Sequence, residues 1–109
     1  MKLFVDDIRN PEYIYEEDDW TVARSYEEAV QILSNGDCTA ISLDHDLGEN
    51  VPTGYDLAKW LTKTNSWPVD VKIHSQNPVG ANNILREYEF WLKHKDEIKN
   101  ISGNDSWEL

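Results

Sequence analysis

Basic residues are scarce in this chain. Ten Lys and Arg stand against 21 Asp and Glu, a formal net charge of −11 over 109 residues. Binding duplex DNA or an RNA backbone needs a basic face, so that balance excludes them as generic partners. A small phosphorylated ligand is not excluded, because a local site overrides the global field. Cysteine is nearly absent. Cys38 by itself cannot close an internal disulfide, which points to a reducing, cytoplasmic compartment. No apolar run approaches the ~20 residues that span a bilayer, so no membrane association is expected. No stretch of signal-peptide character precedes Asp6. No internal repeat, low-complexity segment or linker divides the sequence, so residues 1–109 read as one domain with an open oligomeric state. Hydrophobic residues make up 39%, with five Trp and five Tyr, which excludes disorder.

The chain does contain three apolar runs that stop abruptly in ionisable side chains. Leu3-Phe4-Val5 ends in Asp6-Asp7, Ile41-Ser42-Leu43 ends in Asp44-His45-Asp46, and Val69 to Ile73 ends in His74-Ser75. Each reads as a strand delivering chemistry to the edge of a sheet. Lys2–Val5 lacks alternation, as a strand buried on both faces would. Val69, Val71 and Ile73 alternate with Asp70 and Lys72, the pattern of a half-exposed edge strand. Trp20 to Arg24 reads as a further strand, and Thr39 to Leu43 carries the Asp-His-Asp cluster. Tyr13 to Asp19 has no period and reads as irregular. Its Glu16-Glu17-Asp18-Asp19 run reads as a solvated acidic surface.

Helices fill the intervals. Ser25 and Glu28 form a capping box ahead of Tyr26, Ala29, Val30 and Leu33, and Asn35-Gly36 stops that helix. Thr53 caps a second helix, with Asp56 in its first turn and Leu57, Trp60 and Leu61 inward. Asn77-Pro78 starts a third, running towards Asn100 with Ala81, Leu85, Tyr88 and Leu92 as its stripe, widened by Ile84 and Trp91. Gly103 to Leu109 reads as frayed, with a short added strand as the alternative. Alternating strands and helices predict an α/β fold with a parallel sheet, in order 2-1-3-4 with the first strand central. Ligands bind such sheets outside the carboxyl ends of the strands, where Asp6, Asp7, Asp44, His45, Asp46, His74 and Ser75 fall.

These residues carry a resemblance. Leu3-Phe4-Val5-Asp6-Asp7, Ala23 to Ala29, Ile41-Ser42-Leu43-Asp44 and Gly54-Tyr55-Asp56-Leu57 resemble the response-regulator receiver domain. The resemblance implies a receiver/flavodoxin-like three-layer sandwich, a divalent metal held by the paired acids, and Asp44 at the phosphoacceptor position. Two departures stand out: His-Asp follows Asp44, and no fifth strand ending in lysine follows the last helix, so that strand reads as lost or reduced. Asp6-Asp7-Ile8-Arg9, the Asp44 to Gly48 block, and His74-Ser75-Gln76-Asn77-Pro78 are similar to a receiver offshoot, the cyclic-phosphate processing receiver domain.

The resemblance implies a phosphoesterase, a hydrolase acting on a cyclic nucleotide or a cyclic RNA end. Asp6, Asp7 and Asp44 would crowd like charges and stay ionised most easily around Mg²⁺ or Mn²⁺. The alternative makes Asp7 a turn residue and Asp6 a partner of Arg9. His45 and His74 are the candidate acid–base pair, with Asp46 orienting a ring; the alternative is one structural and one exposed histidine. Ser75, Gln76 and Asn77 ahead of the last helix, with Gly80 allowing close approach, are a candidate phosphate seat. Arg9 either binds phosphate or neutralises an aspartate. Thr53 and Tyr55 read as cap and core, and His94 as surface. Two other functions stay open: a phosphoacceptor receiver using Asp44, and an acidic, non-catalytic binding or inhibitor protein.

Overall fold

The structure is a computed structural model and describes residues 1–100, with side chains through Glu97. Four strands, β1 (Lys2–Val5), β2 (Trp20–Ala23), β3 (Ala40–Leu43) and β4 (Asp70–Ile73), alternate with three helices, α1 (Tyr26–Leu33), α2 (Gly54–Lys63) and α3 (Pro78–Asn100). A short 3-10 turn, Pro11–Tyr13, lies between β1 and β2. All pairings are parallel and the sheet order is β2-β1-β3-β4. This is the receiver/flavodoxin-like α/β fold and strand order that the sequence predicts. No helix among the described residues is long and apolar enough to cross a membrane.

Right-handed crossovers decide which face each connection covers. The β2-to-β3 and β3-to-β4 connections carry α1 and α2 across one face, and α3 packs beside α2. Leu3, Val5, Ile41 and Leu43 point to that side and share one core with Leu57, Leu61 and Ile84. The β1-to-β2 connection runs in the opposite direction and so covers the other face. Among the described residues no α-helix lies there. The third layer is the irregular segment 6–19, whose Tyr15 packs edge-on against Phe4 with ring centroids 6.3 Å apart. No fifth strand flanks β4 among the described residues; the reading of Gly103 to Leu109 lies outside them.

Ser25 caps α1, its Oγ accepting the Glu28 N–H, but the Glu28 carboxylate reaches back to the Arg24 N–H and the predicted box does not close on Ser25. Thr53 caps α2 and forms a reciprocal capping box with Asp56. Two details differ. Val69 does not face inward: it precedes β4 and is 87% exposed. The buried stripe of α3 is Ile84 and Trp91, with Tyr88 partly buried, while Leu85 and Leu92 are largely exposed. Both stripes have helical spacing. Contact with α2 selects the one rotated by a residue, and periodicity alone cannot choose between them.

Candidate functional site

Each strand-end residue is held by one more rung of the sheet. Asp6 N–H donates to Ala23 C=O at 3.1 Å, Asp44 N–H to Val5 C=O at 3.0 Å, and His74 N–H to Leu43 C=O at 2.9 Å. Asp6, Asp44 and His74 therefore leave the sheet together at its carboxyl edge. The chain turns sharply after Asp6 because the Asp6 carboxylate organises the turn. Its Oδ1 accepts the N–H groups of Ile8 and Arg9 at 2.9 and 2.8 Å. Its Oδ2 accepts Arg9 Nε–H at 3.0 Å and meets His74 Nε2 at 3.1 Å. Burial alone would push the Asp6 carboxyl up, but those backbone donors, then Arg9 and His74, outweigh it and hold the group below its ordinary value.

Arg9 reaches across to donate from Nη2 to the His74 carbonyl at 3.0 Å, with Asp44 Oδ2 at 3.7 Å. It neutralises both aspartates, one of the two roles open from sequence. Arg24, which the sequence placed inside the second strand, lies just beyond β2. Its guanidinium donates to the carbonyls of Asp6 and Arg9, at 3.2 and 2.6 Å, and to Asn10 Oδ1. The rule that singled out Asp6, a charge at the end of an apolar run, applies equally to Arg24.

Carboxylate oxygens of Asp6, Asp7 and Asp44 all lie within 4.8 Å of one another. Burial, then the neighbouring Asp6 charge, pushes the Asp44 carboxyl up; a Ser75 hydrogen bond and Arg9 offset this in part. All three acids line an open cleft of about 740 Å³, together with Arg9, Asp46, Glu49, Gln76 and Asn77. An all-oxygen donor set with surplus negative charge suits a hard divalent cation. The N-terminus of α2 closes in behind Asp44. Gly54 N–H donates to the His45 carbonyl at 2.7 Å, and a Cβ on Gly54 would overlap the Asp44 carbonyl oxygen. Gly54→Ala is expected to cost about 1–3 kcal/mol by overpacking against backbone. Urea unfolding checks this; an unchanged midpoint would mean that α2 can back away from Asp44.

The two histidines are not equivalent. His74 has a side chain only 4% exposed. Its ring stacks on Phe4 at 4.4 Å with planes 7° apart, and its Nδ1 lies 2.7 Å from Ser42 Oγ. Burial holds its pKa below the ordinary value despite the Asp6 carboxylate beside it. Both ring nitrogens are engaged inside the protein, which does not fit an acid or base that meets substrate. His45 Nδ1 pairs with Asp46 Oδ1 at 2.9 Å, the orientation expected of Asp46. Its ring occupies the space beside Gly80, where a Cβ would overlap it. Gly80 thus makes room for His45, whereas the sequence assigned that space to a ligand. Neither imidazole is among the groups lining the cleft, while Asp46 is.

At the start of α3, Ser75 Oγ accepts the Asn77 N–H at 3.1 Å, and Asn77 Oδ1 accepts the Gly80 N–H at 3.0 Å. Asn77 is therefore a cap that also borders the cleft, and Gln76 is the more exposed of the two. Thr53 is consumed by its capping box, and Tyr55 lies under Lys59 Nζ at 4.7 Å. His94 pairs with Glu97 on the surface of α3. In the acidic run, Glu17 and Asp19 pair with Lys2.

A parallel sheet in this order, with an acidic cluster at its carboxyl edge, defines a receiver-like α/β domain. The family model described as the cyclic-phosphate processing receiver domain matches residues 1–89, and the chain belongs to that family. No curated protein and no solved structure matches the chain significantly.

Proposed function

We propose that the chain is a phosphoesterase that opens a cyclic phosphate, on a nucleotide or an RNA end, at the cleft bounded by Asp6, Asp7 and Asp44. The observation that carries this reading is the approach of three carboxylates within 4.8 Å beside Arg9 at the strand ends. Asp6, Asp7, Asp44, Asp46 and Glu49 line the cleft against one guanidinium, so a phosphate enters only in company with a cation. Asp6, Asp7 and Asp44 would hold that Mg²⁺ or Mn²⁺, which when bound polarises a phosphoryl oxygen. Arg9 lines the same cleft and can turn a donor to the phosphate. Ring opening adds water across one P–O bond, so a proton leaves the water and another reaches the departing oxygen. Asp46, which lines the cleft, links it to His45 behind, and the proton is exchanged through that pair. His74 positions Asp6. The test is turnover of cyclic mono- and dinucleotides and cyclic-ended RNA, with and without chelator. No turnover, with acid-labile phosphate on Asp44 after acetyl phosphate, would instead support a phosphoacceptor.

The cation is tested separately. At 100 times its Kd, a bound divalent ion is expected to stabilise wild type by about 2.7 kcal/mol. Asp7→Asn should lose most of the resulting rise in melting temperature. Asp44→Asn should behave differently. Its carboxyl is raised in the fold, so its contribution to stability is present at low pH and is lost as pH rises through the folded value. At neutral pH in chelator, Asp44→Asn should therefore melt above wild type, yet gain nothing from the cation. Equal cation responses in wild type and both variants would leave Asp7 as a turn residue and Asp6 as an internal partner of Arg9 and His74.

A further inference from the structure

The face of the sheet that lacks α-helices carries a chain of hydrogen bonds that extends beyond the His74–Asp6 contact. Tyr15 Oη lies 2.9 Å from Ser42 Oγ, Ser42 Oγ lies 2.7 Å from His74 Nδ1, and His74 Nε2 lies 3.1 Å from Asp6 Oδ2. Ser42 is fully buried in the middle of β3. Ser42, His74 and Asp6 have the composition of a nucleophilic triad, but Ser42 has no exposed surface and the Tyr15 hydroxyl caps it. The set is therefore internal, and its chemistry is orientation. An ionised Asp6 only accepts, so Nε2 carries the ring proton. Nδ1 is then an acceptor, the Ser42 hydroxyl must donate to it, and the Tyr15 hydroxyl must donate to Ser42. Every bond in the chain has one direction, from Tyr15 inward to Asp6.

We infer that Tyr15 and Ser42 are positioning residues of the cleft, acting through His74 to hold the Asp6 carboxylate in the orientation it presents to a ligand. The inference rests on Asp6 belonging to the site, as proposed above. Stacking on Phe4 fixes the plane of the His74 ring but leaves it free to flip about its axis. Hydrogen bonds at both ring nitrogens remove that freedom, Ser42 at Nδ1 and Asp6 at Nε2, because a flip would swap each nitrogen for a carbon. Tyr15 is held in turn from outside. Its N–H donates to the Pro11 carbonyl at 2.8 Å, and its ring stacks on Trp20 at 4.9 Å. The segment that stands in for the third layer is thereby tied, through three side chains, to the first aspartate of the site. Outer partners that orient a ligand-bearing group typically change metal affinity ~10–100-fold when removed.

The test is nuclear magnetic resonance of the whole chain at fixed neutral pH in chelator, following the His74 imidazole nitrogens and the Asp6 carboxyl carbon, and then a Mg²⁺ titration. Wild type should show a proton on Nε2 and a hydrogen-bonded, unprotonated Nδ1. Tyr15→Phe removes only a hydroxyl that touches neither ring nitrogen, yet it should move both the Nδ1 and the Asp6 resonances. Ser42→Ala should move them further and weaken Mg²⁺ binding by about 10-fold or more. Trp20→Phe, which loosens the same aromatic cluster without breaking the chain, should leave both resonances near their wild-type positions. A proton on Nδ1 in wild type overturns the inference. So does a Tyr15→Phe protein with both resonances unmoved, or a Trp20→Phe protein that moves them equally. If Ser42→Ala does not fold, Tyr15→Phe and Trp20→Phe still decide. Absence of any Mg²⁺ response in wild type counts against the cation reading alone, since the resonances judge the chain without it.

Discussion

Replacing His74 with alanine is expected to destabilise the protein by about 3 kcal/mol or more, the range for emptying a buried ring site and orphaning its polar partners. For a domain of this size that lowers the melting temperature by roughly 12 °C or more. The ring covers Phe4, and its loss leaves Ser42 without its acceptor and Asp6 without one of its donors. The acid limb of the stability curve should change as well. The His74 pKa lies below its ordinary value of 6.5, so the unfolded chain takes up the proton first. Its contribution is complete above 6.5 and falls as pH drops towards the folded value. Asp6 has the same sign: its folded value is depressed, and its contribution disappears as pH falls through the carboxylate range. Wild type should therefore lose stability in two stages on acidification, and His74→Ala should lack the first. Calorimetric melts between about pH 2 and pH 8 measure both effects, since the Asp6 stage lies below its ordinary value of 3.8. A variant with the wild-type melting temperature and the wild-type slope would show that the buried network contributes nothing.

The second large effect is on chemistry. His45→Ala should lower turnover of a cyclic phosphate by ~100-fold or more, the usual loss for a positioned acid–base group. The His45 side chain is 17% exposed and sits at the outer end of its strand, so the variant should fold and melt within a few degrees of wild type. Asp46→Asn should give a comparable loss, since Asp46 lines the cleft and links His45 to it. A pair combining His45→Ala with Asp46→Asn should be little worse than His45→Ala alone, because the two act as one unit. Full activity in a folded His45→Ala protein would reduce His45 to a packing group over Gly80.

The difference between these two outcomes was not legible in the sequence. His45 and His74 both follow apolar runs and both have polar neighbours, so they look interchangeable there. What separates them is the face of the sheet. His74 turns towards the side that lacks α-helices, where Phe4 and Ser42 already point and Tyr15 arrives from a segment with no period of its own. No local pattern reports that meeting, because the partners come from positions 4, 15, 42 and 74.

The strands, their order and the shared edge could be read directly, because they depend on local signals. Apolar runs of period-free or alternating type, helix caps at Ser25 and Thr53, and charges at strand ends are properties of short windows. Asp6, Asp7 and Asp44 could be brought together on paper because a parallel sheet puts all carboxyl ends on one side. The tertiary structure alone decided the rest. It turned the α3 stripe to Ile84 and Trp91, drew Arg24 onto the 6–10 loop, spent Asn77 on its helix, and buried His74 while leaving Asp46 in the cleft. Each of these is a choice among partners that local sequence leaves equally available, and packing across the sheet makes it by satisfying every buried polar group at once.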